Sequence, residues 1–197
     1  MEIETAAGPA AVVVDEVADP RLLVVLTHGS NGSVDAPDLL AVRAVALELG
    51  AAVARVTQPF RLAGRRAPGA AAKQDAAWTE IVQALRERHP HLPLVQGGRS
   101  NGARVACRTA ASLGATGVLA LAFPLHPPGR PEKSRAAELR GAGVPVVVVN
   151  GDRDPFGMPA APDAAAVVAL PGERHDLARD PARVGVAVEP WLRRWRG

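Results

Sequence analysis

Continuous apolar runs rich in β-branched residues alternate along the chain with longer segments whose apolar positions recur every three or four residues. Runs of the first kind suit strands buried on both faces, and segments of the second suit amphipathic helices. The alternation therefore predicts a doubly wound, mostly parallel sheet with helices on both faces, the α/β class. Strands are expected at Ala11 to Glu16, Leu22 to Thr27, Ala52 to Thr57, Leu94 to Gly97, Gly117 to Ala122, Val144 to Asn150 and Ala165 to Leu170. Helices are expected between them. Asp38 to Leu49 stops at Gly50, Lys73 to Arg88 ends before His89-Pro90, and Asn101 to Leu113 stops at Gly114. Two more cover Pro131 to Arg140 and Pro181 to Trp195, the last opened by Asp180-Pro181 as N-cap and first helical residue.

The run beginning at Leu94 leads straight into Gly98-Arg99-Ser100-Asn101-Gly102 and then into a helical segment. Gly-x-Ser-x-Gly between a strand and a helix is the pattern of a nucleophile elbow. The serine is forced into a strained turn, and the two glycines let strand and helix approach each other. In an open parallel sheet, ligands bind beyond the carboxyl ends of the strands, so the loops leaving those ends are where chemistry is expected. They carry His28-Gly29-Ser30-Asn31-Gly32, the Arg-rich stretch Gln58 to Lys73, Ser100, Phe123 to Pro128, Gly151 to Pro155 and Pro171 to Asp176.

A serine hydroxyl is a weak nucleophile unless an imidazole takes its proton during attack, and the imidazole needs a carboxylate to hold its tautomer. Ser100 as nucleophile, Asp154 as orienting acid and His175 as general base then acid follow in that chain order, each on its own loop. Asp152 is the alternative acid; otherwise it caps the turn or pairs with Arg153. Oxyanion donors are expected from the Asn101 amide and from Gly29-Ser30. His28 is expected to order the oxyanion loop and His126 to pack within the Pro-rich turn. No His-x-x-x-His or comparable ligand pair appears, so neither a metal nor another cofactor is called for. Arg61, Arg65, Arg66 and Lys73 leave two readings open. Either they meet an acidic group of a substrate, or the loop is solvated and its arginines pair with Asp75 or Glu80.

Composition narrows the classes further. A chain of 197 residues with 48% apolar content can bury one substantial core, and no linker divides it, so residues 1–197 read as a single domain. No apolar run approaches the roughly 18 residues of a membrane span, and Met1-Glu2-Ile3-Glu4 is acidic where a secretory signal is basic, which favours a cytoplasmic protein. Cys107 is the only cysteine; no internal disulfide can form, and the expected role is a buried small hydrophobe. The net charge is only +3, with 23 basic residues scattered among 20 acidic ones. Tyr is absent and there are three Phe and three Trp, too few for base-stacking platforms, so no nucleic-acid partner is expected.

Several strings together resemble a known family. They are His28-Gly29, Gly64-Arg65-Arg66-Ala67-Pro68, Gly97-Gly98-Arg99-Ser100-Asn101-Gly102-Ala103-Arg104, Phe123-Pro124-Leu125-His126-Pro127-Pro128-Gly129-Arg130-Pro131-Glu132-Lys133 and Asn150-Gly151-Asp152-Arg153-Asp154-Pro155-Phe156-Gly157. The chain resembles the small α/β-hydrolases typified by the testis-expressed hydrolase-like protein and NSL-complex subunit 3, and more distantly a dienelactone hydrolase. The resemblance runs from about Leu22 to His175 and implies an α/β-hydrolase fold without a lid domain, with Ser100, Asp154 and His175 in triad positions. Asn101 stands where such elbows often carry Met, and Ser30-Asn31 where the loop often carries Ala-Gly. The expected activity is serine-dependent hydrolysis of a small ester, thioester or lactone through an acyl-enzyme, by a monomer or homodimer. With no lid-sized insertion between Phe123 and Val144, the pocket should be open and suited to short or polar acyl groups. The alternative is a non-catalytic binding or scaffold protein on the same fold.

Overall fold

The computed structural model describes residues 1–197. Eight strands form one sheet: β1 (Glu2–Ile3), β2 (Ala10–Asp15), β3 (Leu22–Thr27), β4 (Ala51–Thr57), β5 (Leu94–Arg99), β6 (Gly117–Leu121), β7 (Val146–Gly151) and β8 (Ala166–Leu170). Their spatial order is β1-β2-β4-β3-β5-β6-β7-β8. β1 pairs with β2 and β2 with β4 antiparallel, and the other five pairings are parallel. Six α-helices accompany them: α1 (Pro37–Glu48), α2 (Pro59–Leu62), α3 (Ala71–Arg88), α4 (Asn101–Thr109), α5 (Ala136–Arg140) and α6 (Ala182–Trp195).

The period-2 geometry of a strand sends alternate side chains to opposite faces, and β3 displays it plainly. Leu23 and Val25 join a core with Trp78, Ile81 and Leu85 of α3 and Val105 of α4. Leu22, Val24 and Leu26 join a second core with Leu39 and Val42 of α1 and Val188 and Leu192 of α6. Because both faces are covered, all six residues of β3 are buried. That is why the strand reads as an unbroken apolar run. One polar group sits deep in the first core, where the Trp78 indole donates to Gln96 Oε1 at 2.6 Å.

The seven expected strands are all present, with ends shifted by up to two residues. β1 is added by pairing with β2, in two residues too few to carry a pattern. Apart from end shifts of one or two residues, two helices differ from expectation, and the one-turn α2 falls in the stretch from Gln58 to Lys73 read as a loop. α4 ends at Thr109, four residues early; the Thr109 hydroxyl donates back to Val105 O, and the 110–113 segment closes as turns. The expected helix from Pro131 to Arg140 is broken into a 3-10 turn, Pro131–Lys133, and α5. Ser134 is extended, and the Arg135 amide donates at 2.7 Å to Leu125 O across the loop instead of continuing the helix. α6 starts at Ala182 rather than Pro181, and the Asp180 side chain does not cap it. No helix is long and apolar enough to cross a membrane.

Candidate active site

The elbow is built by close approach. A Cβ on Gly98 would lie 2.5 Å from Thr27 O, and one on Gly102 would lie 2.7 Å from Thr27 O and 2.9 Å from His28 O. Any side chain at either position would force α4 away from β3. Between them, Ser100 adopts φ 55° and ψ −111°, a left-handed conformation that non-glycine residues enter only under constraint. Its amide is fixed to Leu121 O of β6 at 2.9 Å. The hydroxyl consequently stands at the amino end of α4, above the carboxyl edge of the sheet, where unpaired helix amides favour negative charge.

Ser100, His175 and Asp154 come together from the exits of β5, β8 and β7. The Asp154 carboxylate can only accept, so His175 Nδ1–H donates to its Oδ2 at 2.8 Å, leaving Nε2 to accept from the Ser100 hydroxyl at 2.9 Å. The Asp154 side chain is essentially buried, whereas His175 keeps about a fifth of its side chain in solvent. Asp152 takes the other course open to it: its carboxylate is exposed and accepts from the Gly172 amide, capping the turn.

Two supports of this trio were not singled out from the sequence. The Phe156 ring stacks on the His175 imidazole at 4.1 Å between centroids, while its amide donates to Asp154 Oδ1 at 2.8 Å. Glu173 is buried and accepts from the Arg179 and Asp180 amides, folding the loop that presents His175. Phe156 lies two residues past the acid, which was a usable signal. Nothing local marks Glu173, whose partners are set by the return of the chain into α6.

The first loop is held by His28. The Gln58 amide donates to its Nε2, so Nδ1–H donates to Gly29 O at 2.7 Å; burial pushes the imidazole below its ordinary pKa and keeps it neutral. Ser30 and Asn101 line a cavity of about 370 Å³ beside Ser100 and His175. The Asn101 carboxamide donates to Gln74 Oε1, and Gln74 in turn to Gly69 O, tying the elbow to the segment that contributes Pro68 to the same cavity. His126 lies outside it, its Nδ1–H on Pro127 O and its ring against Gly157.

Arg65 and Arg66 do not reach this cavity. Both are exposed; Arg65 lines a small separate cleft, and Arg66 lines an open hollow with Arg61 and Asn31. Neither of the pairings considered for them forms, because Asp75 binds Arg108 and Glu80 accepts from the Ala6 amide. The arginines that do line the cavity are Arg99, Arg104 and Arg135. Arg104 makes a two-pronged pair with Glu138, and Arg99 lies 3.7 Å from Asp38. Asp38 is fully buried at the first turn of α1 with neither carboxylate oxygen hydrogen-bonded, and burial outweighs the pull of Arg99, so its pKa is pushed up to about 6.

A mostly parallel sheet wrapped by helices, with a serine on a positive-φ turn between the fifth strand and its helix, defines an α/β-hydrolase fold. Residues 20–179 match the family described as alpha/beta hydrolase domain, and the chain belongs to that family. No curated protein matches the sequence. Among solved structures, it is similar to XC6422 from Xanthomonas campestris, described as an α/β serine hydrolase without a lid. That match has TM-score 0.77 at 20% identity, over 99% of this chain and 93% of that one. Est1E from Butyrivibrio proteoclasticus with ferulic acid bound gives 0.74 at 17% identity, over 99% and 98%. The esterase domain of a Rhodothermus marinus protein gives 0.73 at 15% identity, over 100% and 98%. As in the first of these, no lid-sized insertion follows β6: between β6 and β7 the chain holds only the 3-10 turn and α5.

Proposed function

We propose that this protein is a serine hydrolase that cleaves a small ester, thioester or lactone through an acyl-enzyme. The observation that carries the reading is the unbroken relay from the Ser100 hydroxyl through His175 to the buried Asp154, with the serine held at the strained elbow. In the first half-reaction, Ser100 Oγ attacks the carbonyl carbon as its proton passes to His175 Nε2. The imidazolium beside Asp154 then returns that proton to the departing alkoxide or thiolate. Water repeats the sequence in reverse roles, releasing the acid and restoring the serine.

The developing oxyanion is assigned to the Asn101 amide, at the first turn of α4, and to the Ser30 amide of the loop held by His28. Loss of one such donor costs about 100- to 1000-fold in turnover. The strings Pro124-Leu125-His126-Pro127-Pro128-Gly129 and Arg153-Asp154-Pro155-Phe156-Gly157 support placing the enzyme with the testis-expressed and NSL-subunit type within the family. A small, open cavity supports short substrates over long lipids.

The test is covalent labelling with a fluorophosphonate, read by mass spectrometry. Wild-type protein is expected to carry one adduct at Ser100. Ser100→Ala should abolish it, and His175→Ala should slow it severely. Folded wild-type protein that fails to label at Ser100 would overturn the reading and favour a binding role for the fold.

A further inference from the structure

The cavity beside Ser100 is lined by three arginines and by no carboxylate. Two of the three have their counter-charge supplied from behind, Arg104 by Glu138 and Arg99 by Asp38. Arg135 has none. Its guanidinium donates only to the Pro124 carbonyl at 2.8 Å, and the nearby Glu138 is committed to Arg104 and Arg108. Arg65, Arg66, Arg130 and Arg153 also lack acidic partners but are exposed, and the half-buried Arg61, Arg86, Arg183 and Arg196, which lack them too, lie outside this cavity. Arg135 is half-buried, and desolvation together with the charge of Arg104 holds its pKa below the usual arginine value.

A cation partly stripped of water and set next to another cation is costly unless something anionic arrives. The position is also fixed rather than incidental. The backbone of Arg135 is tied to Leu125 and its side chain to Pro124, both on the loop leaving β6, the strand that anchors the Ser100 amide. The other four N–H donors of its planar fork have no protein acceptor, and such a fork recognises carboxylate or phosphate oxygens in pairs.

We propose that the substrate carries a terminal oxyanion, carboxylate or phosphate, bound by Arg135 with Arg104 beside it, while its ester or thioester carbonyl meets Ser100. This rests on the serine-hydrolase reading for the bond cleaved, but the anion site is testable without it. The ligand supplies the ion pair that Arg135 lacks, and a neutral analogue of the same size leaves it unmade.

The experiment compares three 4-nitrophenyl esters: the monoester of glutaric acid, its methyl-capped neutral counterpart, and the ester of phosphoglycolic acid. In wild-type protein, kcat/KM for one or both anionic esters should exceed that for the neutral one. Arg135→Gln should lower this anionic-to-neutral ratio roughly 10- to 100-fold. Arg140→Gln, outside the cavity with Asp163 as its partner, should leave the ratio where it was. Which anionic ester leads assigns the oxyanion to carboxylate or phosphate. A wild-type ratio near one, or a ratio that Arg135→Gln does not move, overturns the proposal. Should the protein fail to label at Ser100, glutarate and inorganic phosphate titrated by calorimetry decide the anion site alone: binding lost in Arg135→Gln supports it, and no binding to wild type refutes it.

Discussion

Replacing Asp38 by Asn should change how stability depends on pH, by an amount the structure fixes. Asp38 has a folded-state pKa of about 6 against an unfolded value of 3.8. Below pH 3.8 both states hold the proton. Between about 4 and 6 the unfolded chain has released it while the folded protein retains it, so rising pH favours unfolding by about 1.4 kcal/mol per pH unit. Above 6 both are ionised, and the folded state carries the full cost of a buried, unbonded carboxylate, on the order of 3 kcal/mol. The attraction of Arg99 is already contained in that figure, since it acts only on the ionised form. Asp38→Asn removes the titration while keeping the shape. Urea unfolding followed by tryptophan fluorescence from pH 4 to 8 is the assay. The variant should gain on wild type as pH rises, by about 3 kcal/mol in total, with most of the change complete by pH 7. A difference that stays constant across this range would refute the reasoning, because the carboxylate would then be as well accommodated folded as unfolded.

Three further outcomes are expected. Asp154→Asn should leave the fold intact but present the wrong imidazole tautomer to Ser100, lowering kcat on an aryl ester by about 10⁴-fold; a loss under tenfold would argue against the relay. Gly102→Ala drives a methyl group to 2.7 Å from Thr27 O and should cost about 1–3 kcal/mol in urea unfolding, together with loss of fluorophosphonate labelling. The Cys107 thiol is buried and pushed up to about 12, so native protein at pH 8 should be inert to a thiol-disulfide reagent and react only as it unfolds. Rapid reaction of the folded protein would contradict that burial.

What could be read from the sequence was whatever local pattern decides. The β3 run is legible because both its faces are covered, and Ser100, Asp154 and His175 are legible because each follows a strand at the same sheet edge. Glycine spacing around Ser100 is legible for a related reason: contact with the Thr27 carbonyl leaves no room for a Cβ. The arginines were the hard case. Order along the chain brings the 58–73 loop to the right edge but does not say which way its long side chains turn, and Arg65 and Arg66 turn outward. Arg104 carried a faint signal, one helical turn beyond the serine. Arg135 carried none, since its place depends on a hydrogen bond from its amide to Leu125 O that also breaks the expected helix.

Phe156 engages three neighbours through three different parts of itself: its ring stacks on His175, its amide holds Asp154, and its carbonyl accepts from the His126 amide. The trio is thereby clipped together by one residue of the β7 exit, which itself borders the cavity, while Ser30, Pro68 and Arg135 border it from other segments. On the proposed reading, proton transfer falls to the trio and its clip, and much of the choice of substrate to those other segments. An engineer wishing to redirect this scaffold to a new acid or alcohol can rewrite the side chains at Pro68 and Arg135 without touching the trio, while the backbone at Ser30 has to stay as it is.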